Sequence, residues 1–257
     1  MRHIRSRLMN LTDMCVLKFE NVSKKYPYVK DFLFKDLSFC VSKGQRVGIV
    51  AEKQCGKSSI VKIIAQLTKQ TEGQVLLNGK DLFSVPAEQR GIGIVFDDFA
   101  LIKGKSVAKN IAFPLKVRKQ QNIQQIVLQQ IEKFGLQSIA KTKAKKLSPL
   151  QKLQTALARL DSRTDLELVV LDDIFAKVDK QSATNFLNLF LQDRHVGILQ
   201  TSGNVDHLCE CDVIYVVADG TIAFSGSFDD AKNYIQTTKC FDKFGINEDI
   251  KKILQGD

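Results

Sequence analysis

An apolar run, Val47-Gly48-Ile49-Val50, leads straight into Ala-Glu-Lys-Gln-Cys-Gly-Lys-Ser-Ser over residues 51–59, and this junction leaves few ways to fold. The run reads as a buried strand, and residues 58–67 (SSIVKIIAQL) carry the apolar stripe of a helix. Strand, glycine-bearing loop and helix form the setting in which a Gly-Lys-Ser motif holds phosphate. Backbone N–H groups at the helix N-terminus favour an anion. Lys57 would reach the outer phosphates as a point charge, and the Ser58 hydroxyl would hold Mg²⁺. The bland alternative, a surface lysine beside a helix start, leaves the preceding strand unexplained. Residues Gln54, Cys55, Gly56, Lys57, Ser58 and Ser59 are therefore expected to line a nucleoside triphosphate site, working or inherited.

The 257 residues suffice for a full core, as one domain or as a domain with an inserted lobe. With 44% apolar and 26% charged residues the composition is that of a folded protein rather than a disordered one. No apolar run reaches membrane-spanning length, and MRHIRSRLMNLTDM lacks the apolar stretch of a signal peptide, which predicts a cytosolic chain. The six cysteines (15, 40, 55, 209, 211 and 240) are scattered; Cys209 and Cys211 alone make a poor zinc signal, so reduced thiols are expected.

The net charge of +10 is concentrated at residues 2–7 and 141–146. No aromatic-rich motif accompanies either stretch, so nucleic acid is not expected, and a solvated surface near lipid headgroups is the simpler reading. Met9 and Met14 precede the first strand, and residues 1–13 read as a loose basic arm that a later start would omit.

Strand signals fall at residues 16–21, 33–41, 45–50, 93–96, 168–171 and 196–200. Asn78-Gly79-Lys80 marks a hairpin between 75–77 and 81–83, and Asp219-Gly220 marks another between 212–218 and 221–224. Residues 105–140 turn helical and rich in Gln and Lys, and helical periodicity resumes over 151–160. Strands alternating with helices predict a parallel α/β core interrupted by a helical lobe.

With these landmarks in order, residues 16–228 resemble the nucleotide-binding subunit of ATP-binding cassette (ABC) transporters. Residues 71–116 (TEGQVLLNGKDLFSVPAEQRGIGIVFDDFALIKGKSVAKNIAFPLK) look most like the ATPases of sugar and polyamine importers. The resemblance implies a P-loop NTPase (RecA-like) α/β core with an antiparallel β subdomain and an inserted α-helical subdomain. The implied organisation is a basic arm at 1–13, an ATP-binding domain at 14–230 with the helical subdomain at 98–155, and a helical tail at 231–257. It implies ATP and Mg²⁺ as ligands, transmembrane permease subunits reached through residues 97–105, and a second ATP-binding subunit, identical or not. It also implies a cytoplasmic location, peripheral on the inner face of the membrane and bound there through the permease.

Roles carry over position by position. Tyr26 matches the aromatic on which adenine stacks. Asp97 stands where the family has a glutamine linking Mg²⁺ and the attacking water to the permease. LSPLQ at 147–151 stands where Leu-Ser-Gly-Gly-Gln belongs, so Ser148 and Gln151 would cap the γ-phosphate held by the opposite subunit. Asp172 matches the magnesium-associated aspartate, and Ser58, Asp97 and Asp172 form the implied metal set. Asp173 takes the place of the catalytic glutamate, residues 176–179 (AKVD) match the dimer-interface loop, and Ser202 replaces the histidine that senses the γ-phosphate.

The fold-setting residues match while the chemical ones depart. Ala51 and Gln54 replace loop glycines; a left-handed backbone at 51 would cost about 1–2 kcal/mol with a Cβ. Pro149 removes an N–H and Leu150 adds bulk, although Ser148-Pro149 is a strong helix start. Asp173 is one methylene short, and retracting a base by about 1 Å can cost roughly 10²-fold in rate. Asp97 can still ligate Mg²⁺ but donates no amide hydrogen bond. Ser202 cannot span to a phosphate as an imidazole does, and His207, five residues on in an expected helix, is not expected to take its place by a shift of register. Together these changes predict retained ATP binding with impaired hydrolysis. The competing readings are a fully active importer ATPase and a non-transport scaffold with a basic nucleic-acid-binding surface.

Overall fold

The computed structural model describes residues 15–52, 55–192 and 194–241. The basic arm (1–13), Gln54 and the end of the expected helical tail lie outside the described residues. The chain forms two compact units, the first with described residues from 15–90 and 196–241, the second from 91–195.

In the first unit, β1 (Cys15–Lys24) lies between β2 (Phe34–Ser42) and β4 (Glu72–Leu77), antiparallel to both, and β5 (Lys80–Asp81) adds an edge. The hairpin Leu77–Lys80 closes through Asn78 (φ 49°) and Gly79 (φ 74°), the left-handed pair that its sequence demands. A separate set is built around β3 (Arg46–Ala51), which runs parallel to β8 (Gly197–Ser202) on one side and β9 (Val213–Ala218) on the other. Five of the six β3 residues are buried, as expected of a strand with parallel neighbours on both edges. From β9 the chain turns through Asp219 (φ 50°) and Gly220 (φ 69°) into β10 (Thr221–Gly226). Val50, Leu208, Ile214 and Val216 form a core closed by Ala231 of the helix Phe228–Thr238, and α1 (Lys57–Ile64) buries Ile60, Val61, Ile63 and Ile64.

One sequence expectation fails here. Cys15 and Cys40 are joined as a disulfide, with Cα atoms 6.0 Å apart, in place of the reduced thiols expected. The two lie on adjacent antiparallel strands, where Cys40 faces Lys18 and Cys15 faces Ser42. A separation of 25 residues along the chain hid that proximity.

In the second unit, β6 (Ile92–Val95) and β7 (Leu168–Asp172) pair in parallel, and every residue of β7 is buried. The helical stretch expected over 105–140 resolves into α2 (Val107–Val117) and α3 (Ile123–Lys133), separated by left-handed Lys119 and Asn122. Residues 118–122 are all polar, so no apolar contact holds them in a helix. α4 (Pro149–Asp161) follows, and buried Asp161 pairs with Lys133 at 2.9 Å and Arg194 at 2.8 Å. The last helix of this unit is α5 (Lys180–Leu191). Among the described residues no helix is long and apolar enough to cross a membrane.

Candidate functional site

The first unit holds the phosphate loop. Ala51 is the last residue of β3, paired with Val217 in extended backbone, so the strain considered for a Cβ there does not arise. The left-handed turn sits instead at Gly56, at φ 92°. A Cβ on Gly56 would lie 2.8 Å from Phe34 Cδ1, so this glycine is required by conformation and by space. α1 starts at the next residue with no side chain capping it. Lys57 is buried, and its ammonium donates to the carbonyls of Ala51 (2.5 Å) and Glu52 (2.7 Å). The cation is therefore held over the loop, and the Ser58 side chain faces solvent beside it.

Three further groups converge on this loop. The Tyr26 hydroxyl lies 3.0 Å from Ser59 Oγ, and the Lys24 ammonium sits 4.8 Å from the centre of the Tyr26 ring. That ties the expected adenine-stacking residue to the first turn of α1, whereas Tyr28 is fully exposed. Ser202 ends β8 opposite Val50, and a Cβ on Gly203 would stand 3.9 Å from Lys57 Nζ. Ser202 Oγ contacts His207 Nδ1 at 2.9 Å, because the 3₁₀ turn Val205–Leu208 folds the histidine back. His207, not expected to take the sensor's place, bonds directly to the residue in the sensor position. Glu52 is the second group that the motif did not reveal. One of its carboxylate oxygens is buried without a hydrogen-bond partner among the described residues. Burial first, and then the Glu52 charge, push the Cys55 thiol above its ordinary range.

The second unit carries the remaining candidates. Asp172 ends β7 and is 2% exposed, and Asp173 follows in the left-handed region at φ 46°. Asp97 is open to solvent; Lys177 from the AKVD loop donates to its carbonyl at 3.1 Å and lies 3.8 Å from its carboxylate. Asp179 of the same loop caps α5 by accepting from Ser182 N at 2.9 Å, and that bond holds its carboxyl below the usual carboxylate range. At LSPLQ, Ser148 Oγ accepts from Gln151 N while Gln151 Oε1 accepts from Ser148 N, a closed capping box with Pro149 as the first helical residue. Ser148 and Gln151, the pair expected to cap a phosphate of the opposite subunit, bond to each other at the start of α4.

The oxygens expected to take Mg²⁺ are the exposed Ser58 hydroxyl in the first unit and the Asp97 and Asp172 carboxylates in the second. These hard donors suit that ion. Among the described residues no cluster of three His, Cys, Asp or Glu side chains forms a metal site by itself.

The family model for ABC transporters matches residues 34–176. A molybdate/tungstate import ATP-binding protein of Thermococcus kodakarensis is 34% identical over 175 residues, 67% of this chain and 52% of that protein. A methionine import ATP-binding protein of Oceanobacillus iheyensis is 28% identical over 243 residues, 88% of this chain and 70% of its own. The match to the first of these spans only about half of the relative's length. Among solved structures, a dimeric ATP-binding cassette in a post-hydrolysis state with ADP and Pi superposes with a TM-score of 0.72 at 21% identity, covering 82% of this chain and 98% of that one. The fold is that of the ABC ATPase cassette, a P-loop NTPase.

Proposed function

Because this chain belongs to the ABC transporter family of ATP-binding cassettes, we propose that it is the ATP-binding subunit of an importer that binds Mg·ATP and hydrolyses it poorly. In this reading it sits on the cytoplasmic side of the membrane, attached to permease subunits and paired with a second ATP-binding subunit. The importer reading draws on relatives named for molybdate/tungstate and methionine import, and residues 71–116 add the likeness to sugar and polyamine importers. Uptake is what these have in common.

One observation carries the binding half: buried Lys57 held over a loop that leaves β3, turns at Gly56 and opens α1 uncapped. The impaired half rests on LSPLQ, whose capping donors and acceptors bond to one another, and on the short Asp173. Mg²⁺, where Ser58, Asp97 and Asp172 take it, would neutralise phosphate charge. A regulatory or structural role follows if the second subunit carries the working site.

Equilibrium binding of Mg·ATP to the purified chain and to Lys57→Ala tests the first half, with binding in the wild type alone as the expected result. Steady-state hydrolysis in the complex with permease tests the second; fast turnover abolished by Lys57→Ala would replace this reading with a fully active ATPase. The Ser202–His207 bond favours that competitor, since it keeps an imidazole on the residue in the sensor position.

A further inference from the structure

Residues 99–160 carry thirteen lysines and arginines against a single acid, Glu132, a net charge of +12 in a chain whose total is +10. The rest of the chain, with 25 basic and 27 acidic residues, is therefore slightly negative. The fold concentrates this charge further. Ala144 N donates to Lys105 O at 2.9 Å, Lys145 N to Lys103 O at 3.2 Å, and Val107 N to Thr142 O at 3.0 Å, so segments 103–109 and 140–146 run side by side. Buried Asn110 pins the first segment: its amide accepts from Ile102 N at 2.8 Å and donates to Ser106 O at 3.0 Å. Lys103, Lys105 and Lys109 thus stand beside the four lysines of 141–146, and all seven are exposed. None of the seven makes an ion pair among the described residues, although elsewhere in this unit Asp161 and Asp165 each attract two cations.

We propose that this lysine surface docks on anionic lipid headgroups. A nucleic-acid partner that is read or stacked upon would need further residues beside the lysines. Reading or stacking on nucleic acid calls for arginine forks and aromatic faces. Of the two arginines here, Arg118 is paired to Asp165 and Arg159 is held by the Phe99 and Ala100 carbonyls. Of the three aromatic rings, Phe99 and Phe134 are buried. What remains is lysine, a flexible point charge suited to a fluid array of phosphates. Beside it, Phe113 and Val117, one helical turn apart on α2, expose apolar side chains, and the Lys105 ammonium lies 5.4 Å from the Phe113 ring. Cationic side chains next to a few exposed apolar ones are the composition of a membrane-surface contact. The choice of lipid over another polyanion rests in part on the proposed place beside a permease; the charge asymmetry does not.

Sedimentation of the full chain with vesicles, without nucleotide or permease, tests this separately from the nucleotide reading. Vesicles of phosphatidylcholine with about one-third phosphatidylglycerol should bind the chain, phosphatidylcholine alone should not, and added salt should release it. Lys141→Gln/Lys143→Gln/Lys145→Gln/Lys146→Gln should weaken binding about a hundredfold. Should that variant fail to fold by circular dichroism, Lys103→Gln/Lys105→Gln/Lys109→Gln probes the same surface from its other segment. No preference for anionic vesicles overturns the proposal. So does a loss that follows Arg2→Gln/Arg5→Gln/Arg7→Gln in the basic arm while the lysine variants bind normally, or tighter binding to single-stranded RNA or an acidic peptide at equal salt.

Discussion

Two helices of this chain start where a phosphate could be held, and they start in opposite ways. α1 follows left-handed Gly56, has no side-chain cap, and begins with a lysine. α4 follows Ser148 in extended backbone, begins with Pro149, and is closed by a reciprocal Ser148–Gln151 box. Every helix leaves its first N–H groups without helical partners, and these favour an anion. Whether they can serve one depends on what else occupies them. At α1 no side chain takes them, and the Ser59 N–H turns back to the Gly56 carbonyl at 2.9 Å; at α4 one N–H is absent and the Gln151 N–H is bonded to the Ser148 side chain. A substitution that strengthens a helix start can therefore compete with its anion chemistry, and the proposed weakness of LSPLQ rests on that competition.

The largest effect that could break this contrast comes from Lys57. Removing the ammonium should weaken Mg·ATP binding by about a hundredfold or more, the range for deleting one partner of a buried charge contact. Isothermal calorimetry reads it directly. Unchanged affinity in Lys57→Ala would remove the charge contact that sets α1 apart from α4.

Gly56→Ala comes next. It forces a Cβ into φ 92° and against Phe34, so it should lower stability by about 1–3 kcal/mol and reduce nucleotide affinity with it. Thermal melting with and without Mg·ATP separates the two losses. At the other helix, Ser148→Ala should lower stability by about 1 kcal/mol, the usual worth of such a cap, and leave nucleotide affinity of the isolated chain untouched. A fall in affinity there would mean that α4 does face a ligand.

These contrasts were legible to different depths. Both hairpin turns and the α4 start could be read from residues adjacent in sequence, since Asn-Gly, Asp-Gly and Ser-Pro each satisfy a local backbone demand. The phosphate loop was legible for the same reason, although its left-handed residue is Gly56 and not position 51. What escaped depends on contacts distant along the chain or on a small turn. Tyr26 meets Ser59 across 33 residues, Cys15 meets Cys40 across 25, and His207 returns to Ser202 only because a 3₁₀ turn intervenes. The break between α2 and α3 escaped because the Gln-rich sequence around it has good helix propensity throughout, while residues 118–122 supply no apolar anchor.

The smallest effect probes the open helix start most finely, through Cys55, the residue just ahead of Gly56. Its thiol is pushed up by burial and by the Glu52 carboxylate, and the Lys57 ammonium pulls the other way. Alkylation proceeds through the thiolate, so Cys55 should react with iodoacetamide more slowly than an ordinary exposed thiol at pH 8. Glu52→Gln removes a charge that raises the pKa, which increases the thiolate fraction and should speed labelling several-fold. Lys57→Ala removes a charge that lowers it and should slow labelling by a similar factor. Mass spectrometry of the Cys55 peptide against time gives both rates. Opposite shifts in the two variants would show an acid and a base competing at the phosphate loop, so that Glu52, unnoticed in the motif, opposes every anion that Lys57 attracts. Equal rates in all three proteins would mean that neither charge is felt at Cys55, and Glu52 would then drop out as a charge acting on the phosphate loop.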